Sequence, residues 1–526
     1  MEGRNRSAWL VALLGVIVGV LLTLLCGQMN GSKRKVKAEY LEWRKLNLIL
    51  QTVSDRYVDT VDYKSITDAA VETVLSKLDP HSIYMPPAEL KESEADLSGR
   101  FEGIGIQFNV PNDTAIVLEV IPGGPAEKIG MLPGDRLLKV DDEVIAGVGF
   151  PQDSMVRRMK GPAGTKVTVT VKRDSEEIPF EITRDKIPVN SIDAYFMVND
   201  TTGYVRLAKF AMTTNKEFLQ ASLELLAEGM KHMVLDLRGN SGGYLEQAFA
   251  LANFFLAKDD VIVYTEGLHS PKEEYKANGK GILQEIGLTV VIDENSASSS
   301  EIFAGAIQDN DRGVLVGRRS FGKGLVQQPV YFTDGSGIRL TVARFHTPSG
   351  RCIQKPYSDD YGYDIYKRYA DGEMTDADSI KVDKSEEFLT AGGRKVYGGG
   401  GIIPDIFVPI DTTRATPFYI AVTKKATSMR FASYFFDGHK SELSGIDDYD
   451  RLMKYFDEVS LEKSFLKFAA DKDGIRPVTP AEWEETSSYL MTQVKALVGR
   501  YSKLGDKAFY HLYLQTDDIF KKAMGE

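Results

Sequence analysis

The spacing of apolar residues changes along the chain and predicts successive regions of different structure. From about Glu39 to Leu78, apolar positions recur at three- and four-residue steps, which indicates helix. The Leu78-Asp79-Pro80-His81-Ser82 run ends this pattern, because proline cannot continue a helix. From about Gly99 to Arg184, short alternating strands are separated by Gly/Pro turns. The pattern therefore predicts a helical region followed by a small β-rich module.

Beyond the β-rich module, apolar strands alternate with amphipathic helices from about Ile187 to Ile410, which is typical of mixed α/β architecture. The predicted strands are His232–Leu237, Gly287–Ile292, Val314–Gly317 and Ile338–Phe345. The acidic, Tyr/Asp-rich segment 358–390 indicates an insertion or surface loop. Residues 412–526 are helix-rich and carry no motif of their own.

The N-terminus carries a different signal. Arg4 and Arg6 precede an uncharged, largely apolar run from Ala8 to Gly27. Twenty residues at about 1.5 Å rise each span roughly the 30 Å hydrocarbon core, so an uncleaved transmembrane anchor is the first interpretation. A cleaved signal peptide usually has a shorter apolar stretch and stays open, as does a lipoprotein signal ending at Cys26.

Composition narrows the classes of function. A chain of 526 residues is too long for one ordinary core. A formal charge of −11 argues against nucleic-acid binding, which needs a basic surface. The two cysteines, Cys26 and Cys352, do not suggest a disulfide framework. The histidines after residue 240 lie without metal-ligand spacing, so neither a metal nor another cofactor is expected.

The β-rich module begins with Phe101-Glu102-Gly103-Ile104-Gly105-Ile106, followed by a strand around Ile116 to Val120. Gly/Pro turns follow at 122–126, 132–136 and 161–165, before the strand Val167 to Val171. This order resembles a PDZ domain. The resemblance implies that the backbone at Gly103, Ile104, Gly105 and Ile106 binds a peptide's terminal carboxylate, while the adjacent strand accepts the tail as an added strand. The alternative is a β-module that only packs on its neighbour.

One serine suggests a familiar protease nucleophile. Arg238-Gly239-Asn240-Ser241-Gly242-Gly243 resembles the nucleophile region of chymotrypsin-like proteases. That class needs a His base and an Asp before the serine, yet only His81 and His232 precede Ser241, and neither position suits that fold. The segment is better interpreted as a sharp turn after a buried strand, where glycine N–H groups can form half of an oxyanion hole.

A second serine lies between a strand and a helix. The strand ending at Ile292 runs into Asp293-Glu294-Asn295-Ser296-Ala297-Ser298-Ser299-Ser300-Glu301, and Ile302 to Ile307 is helical in pattern. Ser298 can be the N-cap of a capping box with Glu301, which spacing alone favours. It can also be a nucleophile, because the positive end of a helix favours a developing oxyanion.

Downstream residues favour the nucleophile. Ser320-Phe321-Gly322-Lys323-Gly324-Leu325-Val326-Gln327 places a lysine between two glycines. The combination resembles the carboxy-terminal processing proteases, also called tail-specific proteases. Lys323 follows Ser298 by 25 residues and Gln327 follows Lys323 by four, which are the spacings of that family. Ser298 is therefore the candidate nucleophile, rather than Ser296 or Ser300.

Further segments carry the same resemblance, in the right order from about residue 40 to 411. They are Leu78-Asp79-Pro80-His81-Ser82, Asp236-Leu237-Arg238-Gly239-Asn240, Thr347-Pro348-Ser349-Gly350-Arg351 and Gly398-Gly399-Gly400-Gly401-Ile402-Ile403-Pro404-Asp405.

The resemblance implies a Ser–Lys mechanism without a metal. Lys323 would deprotonate Ser298, which requires a neutral amine and hence a lowered pKa. Gln327 would orient that amine. The oxyanion would bind the N–H of Ser299 and one N–H from the Gly242-Gly243 turn.

Two positions depart from the family pattern. Ser299 stands where Ala is common, which matters little because only its backbone N–H is needed. Lys160 stands where Arg is usual, and in some relatives that Arg couples the PDZ domain to the active site. Lysine keeps the charge but lacks the planar fork, so this coupling stays open.

The implied fold is multidomain mixed α/β: a β-sheet/helix protease core with an inserted PDZ domain and helical terminal regions. The expected regions are an anchor or signal segment at 1–30, a helical region at 38–97, a PDZ domain at 98–185, the protease core at 186–411 and a helical region at 412–526. The chain would be held in a bacterial inner membrane by residues 8–27, facing the periplasm. There it would act as a serine endopeptidase on protein substrates recognised through their C-terminal tails.

Other functions and partners stay open. A catalytically silent PDZ scaffold is one alternative. A β-lactam-binding Ser-x-x-Lys hydrolase is disfavoured, because position 301 is Glu. Whether the chain forms a homodimer, and whether an adaptor delivers substrates, is not decided by the sequence.

Overall fold

The computed structural model describes residues 42–111, 113–358 and 360–526. The described residues divide into two compact units, one ending at Val74 and the other spanning Leu75–Glu526. The predicted anchor at residues 8–27, with Cys26, lies outside the described residues. Within the described ranges, no helix combines the length and apolar character needed to cross a membrane.

The helical span predicted from Glu39 to Leu78 is wrong in its middle. Helix α1 is described over residues 42–56 and α2 spans Tyr63–Ser76, while residues 57–62 are not helical. The carboxylate of Asp62 accepts hydrogen bonds from the backbone N–H groups of Lys64 and Ser65, so it caps the start of a new helix. As predicted, α2 ends before the Asp79-Pro80 step.

The β-rich module has the predicted short strands, and the structure shows that they pair antiparallel. Its sheet has the order β3-β4-β5-β7-β8 with β6 beside β5, and β3 lies at one edge. A separate two-stranded ribbon, β2 with β9, joins the two ends of the module. Buried side chains such as Val117, Leu137, Met155 and Val169 form its own core. The elements are β2 (Arg100–Gly103), β3 (Ile106–Asn109), β4 (Ala115–Val120), α4 (Pro125–Lys128), β5 (Arg136–Val140), β6 (Glu143–Val144), α5 (Gln152–Met159), β7 (Lys166–Arg173), β8 (Glu176–Thr183) and β9 (Asp185–Pro188).

A six-stranded sheet follows, in the order β10-β11-β12-β15-β16-β21. All neighbouring pairs are parallel except β10 with β11, and the predicted strands at Gly287–Ile292 and Val314–Gly317 are confirmed. Alternate strand residues face opposite sides, so Leu235 packs in the core with α6, α7 and α8 while Val234 packs on the other face. The elements are β10 (Ile192–Met197), β11 (Thr202–Leu207), α6 (Thr214–Ala227), β12 (His232–Asp236), α7 (Leu245–Ala252), β15 (Gly287–Ile292), α8 (Ser299–Asp309), β16 (Val314–Gly317) and β21 (Ile406–Phe407).

A second, antiparallel sheet has the order β1-β18-β13-β14, with β17 also paired to β18. Its first strand consists of Ile83, Tyr84 and Met85, which pair with β18. These residues lie in the region 38–97 that the sequence predicted to be helical. The elements are β1 (Ile83–Met85), α3 (Pro87–Leu97), β13 (Val261–Gly267), β14 (Ser270–Lys276), β17 (Leu325–Tyr331) and β18 (Gly337–His346).

Segment 358–390 is predicted to be an insertion or a surface loop, and the surface loop is wrong for its first half. Tyr361, Arg368, Glu373 and Met374 are buried. Arg368 donates to the carbonyl oxygens of Arg319 and Ser320, at 2.7 and 3.1 Å, directly before the predicted base. The segment therefore packs on the Lys323 loop. Its elements are α9 (Asp364–Ala370) and the start of a β-ribbon formed by β19 (Glu387–Leu389) and β20 (Lys395–Tyr397).

The chain ends in helices, as predicted, with a separate apolar core that includes Phe431, Phe465 and Leu490. The helices are α10 (Pro417–Lys424), α11 (Thr427–Gly438), α12 (Lys440–Leu443), α13 (Tyr449–Glu458), α14 (Leu461–Phe468), α15 (Pro480–Gly499), α16 (Asp506–Tyr513) and α17 (Asp518–Ala523). On one side Asp437 of α11 pairs with Arg136 of β5. On the other, Ile519 and Phe520 pack on the six-stranded sheet. The predicted fold class, mixed α/β with helical terminal regions, is confirmed.

Candidate active site

Ser298 occupies a sharp turn between β15 and α8. Its backbone has φ 55° and ψ −113°, a conformation that residues other than glycine adopt rarely and at a cost. The apolar strand before it and the buried helix after it hold the turn in place, since every residue of α8 is buried. Ser298 thus stands at the positive end of a helix dipole, where a negative charge on a bound group is stabilised.

The predicted capping box of Ser298 and Glu301 is present, and it does not exclude a catalytic role for Ser298. The Ser298 carbonyl accepts the first helical N–H bonds, and the Ser298 N–H donates to Oε2 of Glu301 at 2.9 Å. The Glu301 side chain is fully buried and reaches beyond its own helix. It also accepts hydrogen bonds from Ser320 Oγ at 2.5 Å, Gly322 N–H at 2.7 Å and Lys323 N–H at 2.8 Å.

Glu301 therefore fixes the two predicted catalytic residues relative to each other. The same oxygen, Oε2, accepts the N–H groups of Ser298 and Lys323, so the two bond lengths bound the separation of these nitrogens. Burial raises the pKa of Glu301, while the four hydrogen bonds oppose that change. The sequence indicates Glu301 only as a partner in a helix cap, because its bonds to the Lys323 loop are long-range.

Lys323 lies in the loop between β16 and β17. Gly322 before it has φ 89°, and a Cβ there would be 3.1 Å from the backbone nitrogen of Gly401. A glycine thus lets the Gly398–Gly401 segment pack directly against the loop. Burial, followed by the positive charge of Arg339, lowers the pKa of Lys323, although Glu301 opposes this. Within the described residues, Lys323 Nζ donates no hydrogen bond, and none joins it to Ser298 Oγ.

Gln327 connects the Lys323 strand to the segment that follows α2. Its Nε2 donates to the carbonyl oxygen of His81 at 2.6 Å. Asp79 shapes that segment, since it accepts the N–H groups of His81 and Ser82, both at 2.8 Å, and a bond from Thr341 Oγ1 on β18. Residues 78–82, one of the segments that resemble the protease family, therefore form one wall of the site.

His81 is a site residue whose role the sequence did not reveal. Its Nε2 is 2.6 Å from the hydroxyl oxygen of Tyr361. Burial and the nearby charge of Lys323 lower the pKa of His81 to about 4. The imidazole is therefore neutral at neutral pH, and it does not add a second positive charge beside Lys323.

The Gly242-Gly243 turn lies against the nucleophile. A Cβ on Gly242 (φ 103°) would come within 2.8 Å of Ser298 Cβ, so a side chain there would collide with the serine. Asn240 joins the two loops, because its carbonyl oxygen accepts the Ala297 N–H at 3.0 Å. Its Oδ1 accepts the Gly242 N–H at 2.9 Å, so that N–H is already occupied.

Ser241 lacks the partners of a chymotrypsin-like nucleophile. The ring of His232 bonds the Thr289 hydroxyl at 2.9 Å, and His81 bonds Tyr361. Among the described residues, neither histidine hydrogen-bonds Ser241. Nor do these residues contain a group of three or more His, Cys, Asp or Glu side chains placed to hold a metal ion.

The predicted carboxylate loop, Gly103 to Ile106, connects β2 to β3. Ile104 is buried, and the carbonyl oxygens of Ile104 and Gly105 accept the N–H groups of Ala126 and Ile121. These bonds hold the carbonyl side of the loop inside the module, beside the free edge of β3. Such an edge can accept an added strand.

Lys160 contacts Glu92 and Phe101, neither of which is a predicted catalytic residue. Its Nζ pairs with Glu92 Oε1 at 2.9 Å and lies 5.9 Å from the centre of the Phe101 ring. Glu92 belongs to α3, which follows β1 of the second sheet.

A cavity of about 740 Å³ opens beside the Lys323 loop. Gln354 and Lys355 line it, and both bond the glycines that flank Lys323: Gln354 Oε1 accepts the Gly324 N–H and the Lys355 N–H donates to Gly322 O. Arg344, which is opposite Leu325 in the β17–β18 pair, also lines it. The residues that line the cavity include neither Ser298 nor Lys323.

Comparisons with known proteins identify the families and relatives that this chain resembles. Residues 201–362 match peptidase family S41, 103–183 match the PDZ domain family, and 418–502 match a family of unknown function. The carboxy-terminal processing protease CtpA of Bacillus subtilis is 32% identical over 361 residues, covering 67% of this chain and 76% of that protein. The carboxy-terminal-processing protease of Bartonella bacilliformis is 34% identical over 322 residues, covering 60% and 73%. Among solved structures, a photosystem II D1 C-terminal processing protease aligns at 26% identity over 70% of this chain and 86% of that one, with a TM-score of 0.38.

The fold, the site and these relatives define a serine protease with an inserted PDZ domain. The chain belongs to peptidase family S41, and within it to the carboxy-terminal processing proteases.

Proposed function

We propose that this protein is a membrane-anchored serine endopeptidase that cleaves extracytoplasmic proteins recognised through their C-terminal tails. Catalysis would use a Ser298–Lys323 dyad. One observation carries the proposal: the buried Glu301 carboxylate accepts the backbone N–H groups of both dyad residues. A carboxylate in this place sets the distance between nucleophile and base, which is a requirement of proton transfer.

The first step transfers a proton from Ser298 Oγ to the neutral amine of Lys323 as the oxygen attacks the substrate carbonyl. The lowered pKa of Lys323 supports this role, because a smaller free-energy cost then accompanies the neutral form. Collapse of the tetrahedral intermediate breaks the peptide bond, and the lysine returns its proton to the leaving amine. Water then hydrolyses the acyl-enzyme at Ser298 by the same route. In the absence of substrate, catalytic hydrogen bonds are often long, so a Ser298–Lys323 bond need form only in the complex.

Two backbone N–H groups would stabilise the oxyanion. One is that of Ser299, at the start of α8. The other would come from Gly243 rather than Gly242, since the Gly242 N–H donates to Asn240 Oδ1. A donor already bonded to the protein has less to offer a developing negative charge.

Gln327 would position two groups: the His81 carbonyl in the wall of the site and the amine of Lys323. Its NH2 group bonds the His81 carbonyl, which leaves its own oxygen to accept a hydrogen bond from Lys323. A neutral amide can orient the amine without favouring the ammonium form, as a carboxylate would.

Tail recognition is assigned to the PDZ domain. The edge strand β3 would pair with the last residues of a substrate, and the loop from Gly103 to Ile106 would bind the terminal carboxylate. Coupling of this event to the site would pass through the Lys160–Glu92 pair, which joins the PDZ domain to α3.

Location and assembly belong to the same proposal. The apolar run at 8–27, preceded by Arg4 and Arg6, supports an anchor with the folded part in the periplasm. Recovery in the membrane fraction and digestion by added protease only after the outer membrane is opened would test this. Exposed apolar residues on α1, such as Trp43 and Leu48, support a homodimer, which light scattering of the full chain would detect.

The decisive assay uses the full chain in detergent with an unstructured protein that carries a free C-terminal tail, compared with the same protein without that tail. Wild type should cleave the first faster, and both Ser298→Ala and Lys323→Ala should abolish cleavage. Undiminished cleavage by either variant rules out the dyad. Tight tail binding with no cleavage by wild type favours the alternative, a catalytically silent PDZ scaffold.

A further inference from the structure

The last helix of the chain approaches the catalytic turn. Residues 514–523 lie on the face of the six-stranded sheet opposite α6–α8, where Leu514, Ile519 and Phe520 are buried against Val234 and Val291. Val234 is on β12, which leads into the 236–243 turn. The C-terminal helices therefore pack on the strand that carries the oxyanion turn.

Asp517 makes a specific contact at this junction. Its Oδ2 accepts a hydrogen bond from Arg238 Nη1 at 2.6 Å, and the Asp517 side chain is 7% exposed. Its other oxygen accepts the Phe520 N–H at 2.8 Å, so Asp517 also caps α17. Arg238 uses Nε and Nη2 to bond Asp236 on β12. One guanidinium is thus held between a carboxylate of the core and a carboxylate of the C-terminal helices.

The residue before Arg238 bonds groups in the two loops of the site. The carbonyl of the preceding residue, Leu237, accepts hydrogen bonds from Asn240 N–H at 3.1 Å and Ser296 Oγ at 2.8 Å. Asn240 in turn binds the Gly242 N–H through its side chain. Hydrogen bonds at Arg238 and at Leu237, which are joined by the peptide bond between these two residues, therefore connect Asp517 to both loops of the site.

We propose that Asp517 is a positioning residue for the oxyanion turn, and that the C-terminal helices thereby support catalysis. The inference rests on the proposed function of Ser298. Asp517 touches neither substrate nor reacting atoms; it acts by fixing Arg238. A small shift of the oxyanion turn would change the rate, because oxyanion donors must be placed within a few tenths of an ångström to stabilise the transition state.

Asp517→Asn in the full chain tests the proposal. Asparagine caps helices as well as aspartate does, so α17 keeps its cap while the charge facing Arg238 is lost. With the tailed substrate, kcat should fall roughly tenfold and KM should stay within about twofold, since ground-state binding is unchanged. Asp517→Glu should restore part of the loss.

Two controls separate positioning from stability. Asp518→Asn removes the neighbouring carboxylate, whose ion-pair partner among the described residues is Arg414, and should leave kcat unchanged. Leu514→Ala removes buried packing from the same segment and should lower the melting temperature without changing kcat per folded molecule. A normal kcat in Asp517→Asn, or a loss no larger than that of Leu514→Ala, would overturn the inference.

Hydrogen exchange provides a readout that is independent of substrate. In Asp517→Asn, amide exchange should accelerate in peptides covering residues 237–243, and it should not do so in Asp518→Asn. Unchanged exchange there contradicts the inference even if the enzyme is active. Accelerated exchange with no Ser298-dependent cleavage by wild type would instead remove the proposed function and leave the structural link standing.

Discussion

Glu301→Gln should uncouple the nucleophile from the base. The glutamine keeps the shape of the side chain but replaces one acceptor oxygen with an NH2 group. With that group on the Oε1 side, the Ser320 hydroxyl can turn to accept, but the Gly322 N–H faces another donor. A buried unsatisfied donor costs about 1–3 kcal/mol, and the remaining bonds, to Ser298 and Lys323, lose the contribution of the negative charge. The expected loss of unfolding free energy is about 2–5 kcal/mol.

Glu301→Gln should lower kcat by more than the loss of folded enzyme explains. A small displacement of the dyad lowers kcat by roughly a hundredfold. The negative charge of Glu301 raises the pKa of Lys323, so its removal should also move the acidic limb of the kcat/KM profile to lower pH.

Thermal melting and pH-dependent cleavage of a tailed substrate measure both effects. The matched control is Glu294→Gln in the same loop, which breaks an ion pair with Arg318 and should keep kcat within about threefold. A Glu301→Gln enzyme with wild-type kcat, or one no slower than Glu294→Gln, would refute the positioning role of Glu301.

Three further variants probe the base, its neighbour and the PDZ domain. Arg339→Gln should move the acidic limb of kcat/KM to higher pH, because Lys323 acts only when neutral and the Arg339 charge helps to lower its pKa; an unmoved limb contradicts this. Gln327→Ala should lower kcat about tenfold, since the bond to the His81 carbonyl is lost. Lys160→Ala should reduce the preference for tailed over tailless substrate, measured as the ratio of their kcat/KM values.

Exposed neighbours provide the controls for two of these variants. Gln328→Ala changes the next residue of β17 and should leave kcat unchanged; an equal loss in both variants would mean that Gln327 matters only for the strand. Lys166→Ala breaks an exposed PDZ pair with Glu181 and should leave the tail preference unchanged. An intact preference in Lys160→Ala would exclude Lys160 from the coupling.

Local signals in the sequence predicted much of the core. The apolar run at Gly287–Ile292, followed by small polar residues and a helical pattern, located β15, the Ser298 turn and α8. These elements are set by residues close in sequence, so their pattern is sufficient.

Long-range contacts explain what the sequence did not predict. Segment 358–390 is polar in composition, yet Arg368 is buried because Glu373 and the carbonyls before Lys323 satisfy its charge. The strand at Ile83–Met85 is too short to identify without its partner β18. The bond between Asn240 Oδ1 and the Gly242 N–H is different, because it joins residues only two apart and is of a kind that Asn commonly makes in turns.

The most direct test of the Ser298–Lys323 dyad is covalent labelling of the full chain with a fluorophosphonate probe, located by peptide mass spectrometry. A Ser298–Lys323 dyad should give a single adduct on the peptide containing Ser298, formed faster as pH rises through the pKa of Lys323. It should be absent in Ser298→Ala and reduced about a hundredfold or more in Lys323→Ala. An adduct on Ser241, or undiminished labelling in Lys323→Ala, would contradict the central claim.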